Sequence, residues 1–333
     1  MSKKFKAIVI DNQNDKFTRE VKELSADTLK DGNVLVKIDY SGLNYKDALI
    51  LNNGGRIVKK YPFIPGIDFS GTVEESEDDK FKKGDRIILT GFRVGEVYFG
   101  GFAGYAKVNS SFLVNAPKEL TNLQTMMMGT AGFTALLCSF AIKAREELLM
   151  GENVKDVLVT GATGGVGSIA VMVLSKMGYN VHAVTGKKDK HDYLKDLGAK
   201  NILDRKEFQG ESKLLEKGIW DGVVDTVGGE SLTKILAQTK PTGIVAACGN
   251  AGGIKLNTSV MPFIIRGVKL WGIDSVMISK KRREFIWSQV PELIDFKLLE
   301  KNIKMVNLEE LLNIFPKMLK GETLGRILVD PNK

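Results

Sequence analysis

Residues 157–174 read VLVTGATGGVGSIAVMVL. A β-branched run leads into a cluster of small residues, and a second apolar stretch follows. The glycines at 161, 164, 165 and 167 give G-x-x-G-x-x-G rather than the commoner G-x-G-x-x-G dinucleotide fingerprint. The mechanics survive the change. A sharp turn after the strand brings the amides of Thr163, Gly164, Gly165 and Val166 to the start of a helix. There, N–H groups and the positive helix end bind a pyrophosphate without side-chain charge. Gly167 or Ser168 lets that helix pack close to the sheet. A strand–helix turn that only needs small residues would read the same in isolation. This one follows a strand, opens a helix and heads a βαβ series, which points to a nucleotide.

The series continues with NVHAVT (180–185), the helical KKDKHDYLKDLGA, and the strands WDGVVDTV (220–227), GIVAACG (243–249) and VKLWGID (268–274). Strands alternating with helices at this spacing mean a parallel sheet. The end of the second strand discriminates between cofactors. An NAD site usually places Asp or Glu there to take the ribose hydroxyls. This chain has Thr185, Gly186 and Lys187 instead, and no carboxylate before Asp189. A hydroxyl, a bare glycine and two lysines suit a 2′-phosphate, and Arg205, after the next strand, supplies a second cation. The expected cofactor is therefore NADPH.

Outside this region the texture differs. FKAIVI, NVLVKIDYSG, SGTVEE, DRIILTG and GYAKV are short strand-like runs broken by Gly, Asn and Asp, which suggests a β-rich, partly open barrel. Helical text begins at TNLQTMMMGTAGFTALLCSFAIK, where Thr121 can cap the first helix and Gly132 interrupts the second. The tail GRILVD is strand-like and can pair back onto the first domain, making that domain discontinuous.

A chain of 333 residues exceeds one comfortable core, so two domains are the default. Its 43% hydrophobic and 26% charged residues are ordinary for a soluble protein, and no apolar run approaches a membrane span. The net charge of +8 favours phosphorylated ligands. No long basic run or aromatic-basic alternation points to nucleic acid. KKRRE (280–284), the densest basic cluster, reads as a solvated helix start. Two cysteines, Cys138 and Cys248, in apolar contexts suggest reduced thiols in a cytoplasmic protein.

The β-rich domain followed by a Rossmann domain, with AxGGVG at 162–167, resembles the medium-chain dehydrogenase/reductase superfamily. SGLNYKDALI (41–50), PGIDFSGTV (65–73) and GTAGFTALLC (129–138) resemble its zinc-free quinone oxidoreductase branch. More narrowly, NYKD, VTGATGGVGS, DTVGGE, AACGNAGG, MPFIIRGV and GIDSVM together resemble the bacterial acrylyl-CoA reductase (NADPH) group. The likeness covers essentially the whole chain. It implies an α/β fold: a doubly wound Rossmann sheet at 125–277, with a GroES-like domain built from 1–124 and 278–333. Zinc alcohol dehydrogenases of the superfamily place a cysteine where this chain has Asn44, and a His-Glu pair where it has Ile67 and Asp68. The two histidines, His182 and His191, lie beside the nucleotide-binding strand and helix, so no metal site is expected.

The implied reaction is metal-free reduction of a carbon–carbon double bond conjugated to a carbonyl, in a short 2-enoyl-CoA such as acrylyl-CoA. The rivals are a quinone or general enone reductase and a non-enzymatic NADPH-binding sensor. The resemblance implies that Tyr45 lies at the nicotinamide, holding the carboxamide or donating a proton, with Asn44 beside it orienting substrate or cofactor. Thr130 and Thr134 would approach the nicotinamide ribose and phosphates, and Asn250, Ile264 and Ser275 would line the nicotinamide half. The loop GFRVGEVYFGGFAGYAKV (91–108) would cap the substrate, although Arg93 and Glu96 are polar for an apolar cover. Asp68 is a possible polar group in the cleft. VKLWGID at the sheet edge could pair across a two-fold axis, and a homodimer without nucleic-acid or membrane partners is expected.

Overall fold

Residues 3–14, 16–148 and 155–333 are described by a computed structural model. In chain order the strands are β1 (Lys4–Gln13), β2 (Lys16–Ser25), β3 (Val34–Leu43), β4 (Asp68–Ser76), β5 (Arg86–Thr90), β6 (Tyr105–Val108) and β7 (Val114–Asn115). Next come β8 (Asp156–Val159), β9 (Asn180–Thr185), β10 (Asn201–Asp204), β11 (Trp220–Asp225), β12 (Thr239–Ala247) and β13 (Lys269–Gly272). The chain closes with β14 (Ile303–Val306) and β15 (Arg326–Val329). Two units result: Met1–Thr130, Ser275–Glu292 and Leu299–Lys333 form one, and Ala131–Asp274 with Leu293–Leu298 form the other.

In the first unit a sheet ordered β14-β15-β3-β4-β5-β7 carries β6 as a third partner of β3. β15 pairs antiparallel with β3, so the last strand closes onto one of the earliest, as the GRILVD pattern predicts. The hairpin β1–β2 has no comparable signature in the sequence. KFTREVKELS alternates charged and apolar residues without a buried face, and most of β2 is exposed or half-exposed. Helix α1 (Tyr45–Asn53) buries Ala48, Ile50 and Leu51 in a core shared with Ile8, Ile10, Leu308, Leu311 and Phe315.

The long apolar stretch after Thr121 becomes helix α2 (Asn122–Leu148). Thr121 caps it, accepting the Gln124 amide at 3.1 Å. The interruption falls at Gly129, not at Gly132: Gly129 adopts φ 50°, ψ −153°, a conformation that side chains resist. This helix is long and apolar enough to cross a membrane by length and composition, which corrects the sequence expectation, but 89% of its apolar window is buried inside the protein. Its hydrophobicity serves a core.

The second unit is a parallel sheet in the order β10-β9-β8-β11-β12-β13. Strand order reverses between β8 and β11, the topological switch point at which such sheets bind ligands. Helix α3 (Gly165–Lys176) follows β8 with eight consecutive buried residues from Gly167 to Leu174. A helix apolar all round must be covered on most sides. Helix α4 (His191–Asp196) follows β9, α5 (Gly229–Gln238) follows β11, and α6 (Met261–Arg266) precedes β13. Leu158, Val223, Val245, Leu232, Ile235 and Leu236 pack together between sheet and helix.

The KKRRE cluster departs from its solvated reading. It opens helix α7 (Lys280–Ser288), yet Arg283 is fully buried in the first unit. Its guanidinium donates to Thr90 Oγ1 at 2.5 Å and to the carbonyls of Ser275 and Val276 at 3.1 and 3.2 Å. It also lies 4.6 Å from the Phe92 ring centroid. A helix-start count of charges cannot show which one turns inward. Replacing Arg283 with Met removes three charge-assisted hydrogen bonds, one of them to the buried Thr90 hydroxyl, so we expect a loss of about 3 kcal/mol, read as a lower urea midpoint.

Candidate active site

NYKD (44–47) puts Asn44 at the N-cap of α1, with Tyr45 at the first helical position and Asp47 at the third. An Asn followed three residues later by an acid is a capping pattern, and the Asn44 amide N–H donates to Asp47 Oδ2 at 2.9 Å. Asp47 is fully buried and also accepts the Ile67 amide through Oδ1 at 2.9 Å. Burial, together with the neighbouring Asp68, pushes its carboxyl up to about 7.

Asp68 opens β4 and is fully buried. Its Oδ1 accepts the Gly42 amide at 3.1 Å. Its Oδ2 accepts Asn44 Nδ2 at 3.0 Å and the Thr130 amide at 2.7 Å. Arg326, the first residue of β15, enters the same cluster. Nη1 donates to Asn44 Oδ1 at 3.1 Å, Nε donates to the Met127 carbonyl at 3.3 Å, and Nη2 lies 3.9 Å from Asp68 Oδ2. The backbone makes room for it. A Cβ on Gly42 or on Gly129 would stand 2.6 Å from the guanidinium.

The donor set answers the zinc question chemically. Where the resemblance would place zinc ligands stand the Asn44 amide, the apolar Ile67 and the Asp68 carboxylate; Asn44 accepts from the buried Arg326 guanidinium, and Asp68 lies 3.9 Å from it. A divalent ion would have to displace that cation, and no thiolate or imidazole is at hand. The residues do not fit zinc. Among the described residues no group of three His, Cys, Asp or Glu could hold a metal.

The same bonds engage the Asn44 side chain. Its amide is 9% exposed, with both ends engaged: Oδ1 by Arg326, and Nδ2 by Asp68, Asp47 and the Gly42 carbonyl. These bonds hold the N-cap of α1 in place. Tyr45, next to it, is 37% exposed. Thr130 contributes its backbone to Asp68, and Ser275 presents its carbonyl to Arg283.

In the second unit the glycine-rich turn joins β8 to a helix start. Helix α3 begins at Gly165 with Gly164 as its N-cap. The Gly164 amide is used within the turn, donating to the Gly161 carbonyl at 2.9 Å, so the helix-heading amides run from Gly165 and Val166 onward. Thr163 and Thr185 are buried, their hydroxyls 3.5 Å apart, and Thr185 Oγ1 accepts the Lys187 amide at 3.1 Å. Arg205 packs against Gly186: a Cβ there would stand 2.6 Å from Arg205 Nε. Thr185, Gly186, Lys187 and Arg205 are thus one cluster at the end of β9. Asp225, buried below, accepts Thr160 Oγ1 at 2.9 Å and the Gly228 amide at 2.8 Å, tying the ends of β8 and β11 together.

Thr134 is buried in α2. Asn250 is exposed in a turn closed by the Gly253 amide at 3.0 Å, and Ile264 is 69% exposed on α6. These three stand outside the cluster at the end of β9. Sequence reasoning missed Asp47, Arg326 and Arg283. The capping spacing of NYKD was a usable signal for the first. A lone arginine opening the apolar run RILV was a weak one for the second.

Residues 165–296 match the family described as zinc-binding dehydrogenase, and residues 30–118 match the alcohol dehydrogenase GroES-like domain. Acrylyl-CoA reductase AcuI of Ruegeria pomeroyi is 45% identical over 331 residues, 98% of this chain and 99% of that protein. The yhdH oxidoreductase from Salmonella enterica, solved in complex with NADP, is 43% identical with a TM-score of 0.93, covering 98% of this chain and 99% of that one. Bacillus subtilis yhfP, solved with NAD bound, is 40% identical with a TM-score of 0.92, covering 99% and 100%.

Raising a buried carboxyl to about 7 has a thermodynamic sign. Between about pH 4 and 7 the folded chain keeps a proton on Asp47 that the unfolded chain has lost, so stability falls as pH rises through this window and levels off above it. In Asp47→Asn we expect that slope to flatten, measured as urea unfolding free energy from pH 5 to 8.

Proposed function

The chain belongs to the medium-chain dehydrogenase/reductase superfamily, and on that premise we propose that it uses NADPH to reduce the carbon–carbon double bond of a short 2-enoyl-CoA. Acrylyl-CoA is the favoured substrate and propionyl-CoA the product. The observation that carries this reading is the buried Arg326 cluster. It takes up the positions where a catalytic metal would be held and leaves the half-exposed Tyr45 on a fixed helix start. Alcohol oxidation in this superfamily leans on a Lewis acid, whereas conjugate reduction does not.

The cofactor assignment rests on this chain's own residues, because its relatives include structures holding either dinucleotide. Gly165 and Val166 at the head of α3 would hold the pyrophosphate. The cluster of Thr185, Gly186, Lys187 and Arg205 offers a hydroxyl, an open α-carbon and two cations where an NAD site needs a carboxylate. When bound, NADPH supplies a hydride from nicotinamide C4 to the β-carbon of the enoyl group.

The protein's share is placement and proton handling. As negative charge moves onto the thioester oxygen, a hydroxyl donor stabilises it, and the α-carbon then takes a proton. Tyr45 carries the hydroxyl suited to that work. Asn44, Asp68 and Arg326 act through it, by holding the N-terminus of α1 in one position.

A homodimer formed along the free edge of β13, where Trp271 is 40% exposed, belongs to this proposal. So does a cytoplasmic location, in keeping with the free thiols Cys138 and Cys248.

The reading is tested by NADPH oxidation with acrylyl-CoA, free acrylate and benzoquinone. Acrylyl-CoA should be reduced with kcat/KM at least about a hundredfold above the others. Equal turnover of benzoquinone would favour a general enone reductase, and NADPH binding without any turnover would favour a sensor. Arg205→Glu should raise the KM for NADPH at least about tenfold more than that for NADH, the size of one lost charge-assisted contact. Tyr45→Phe should slow single-turnover reduction on the order of a hundredfold, and an unchanged rate removes the hydroxyl from the mechanism.

A further inference from the structure

The segment between β5 and β6 is held in an expensive conformation. Phe92 and Arg93, neither of them glycine, take φ values of 51° and 61° in succession. Left-handed backbone at a bulky residue persists only where its surroundings over-determine it. They do so here. The Phe92 amide donates to the Val276 carbonyl at 2.9 Å, its ring stacks on Phe112 at 5.0 Å, and the buried Arg283 guanidinium covers that ring. The Arg93 carbonyl accepts the amides of Glu96 and Val97 at 3.1 and 2.9 Å. At Gly95 the loop runs against the chain leading into β4, where a Cβ would stand 2.6 Å from the Gly66 backbone.

The loop is also tied to the start of α1. Glu96 bonds Lys46 at 2.8 Å, with its side chain only 11% exposed, and Lys46 follows Tyr45 in sequence. This pair has an electrostatic consequence. Glu96 is the acid nearest Arg93 in sequence, and Lys46 occupies it. Arg93 is exposed, and among the described residues no carboxylate pairs with it. Beside it, Val97 and Tyr98 are 47% and 39% exposed. The result is a braced lip tied to the start of α1 through Lys46, apolar in part and, among the described residues, carrying a guanidinium that no carboxylate pairs.

We infer that Arg93 is a specificity-determining residue that recognises the phosphate groups of the coenzyme A carrier, selecting a phosphorylated thioester over an uncharged one. The inference rests on the enoyl-CoA reading above. A guanidinium suits phosphate recognition, because it stays charged, binds phosphate oxygens in a fork, and loses little freedom when its backbone is already fixed. The apolar lip offers the pantetheine arm a surface to lie on.

The test compares acrylyl-CoA with acrylyl-N-acetylcysteamine, which has the same acyl group and thioester but no phosphate. Asn tolerates left-handed backbone, so Arg93→Asn removes the charge while respecting the local conformation. The preference for acrylyl-CoA, as a ratio of kcat/KM values, should fall about tenfold in Arg93→Asn, the size of one charge-assisted contact, and Arg93→Lys should recover part of it. An unchanged ratio overturns the proposal. Calorimetric titration with free coenzyme A gives a readout that does not depend on turnover, and Arg93→Asn should bind it about tenfold more weakly. If the unmodified protein reduces neither thioester, the enoyl-CoA reading fails; the titration then decides Arg93 by itself, since equal affinities overturn its role.

Discussion

A buried guanidinium, that of Arg326, organises the start of α1 in the first unit. Arg326 is brought in by the last strand and meets the Asn44 amide, the Asp68 carboxylate and the Met127 carbonyl. Burying such a cation is costly unless a nearby opposite charge matches it. Asp68 supplies the matching charge. Burial depresses the Arg326 pKa, and the charges of Asp68 and Asp47 oppose that. Because burial raises the Asp47 carboxyl to about 7, its protonated form dominates only below neutrality, where it keeps a second negative charge out of the cluster. Backbone far apart in sequence bends to this constraint: Gly42 and Gly129 both leave space where a side chain would strike the guanidinium.

Consequences spread from the cluster along the backbone. Asn44 is fixed by Arg326 and Asp68, and Asn44 caps α1, so the position of Tyr45 follows from bonds made well below the surface. Asp47 reaches the other way, to the Ile67 amide, and so joins α1 to the segment entering β4. A second buried arginine, Arg283, does a similar job for the strained loop after β5. Both arginines create order at positions that are chemically exposed, a half-exposed tyrosine in one case and an exposed arginine in the other. Preorganisation of this kind is what a site needs if binding is not to be spent on ordering side chains.

The second unit works by different physics. The phosphate site proposed at its glycine turn needs no buried charge, because a helix start offers amides and a dipole. In the function proposed for this chain, discrimination between cofactors falls to the end of β9, where the packing of Arg205 on Gly186 brings together residues nearly twenty apart in sequence. Asp225 stabilises the floor of this region by accepting from Thr160 and Gly228, and burial holds its carboxyl above the usual range.

The sequence by itself determined what depends on local pattern and period. Strand-then-helix alternation after residue 155, the glycine turn and the missing acid after β9 are all written in neighbouring residues, so the parallel sheet and the character of its turn were legible. So was the returning tail strand, since RILV is apolar at every position after its arginine. Tertiary structure decided which charges are buried and what they touch. Arg326 meets Asn44 across 282 positions of sequence, and no local pattern encodes such a meeting. Likewise Arg283 was one of several basic residues at a helix start until packing selected it for the interior. Gly129, not Gly132, breaks α2 because the Asp68 and Arg326 side chains stand where a Gly129 side chain would go. Periodicity reports which face of an element is apolar. Only the assembled fold reports which polar groups must share the space behind it.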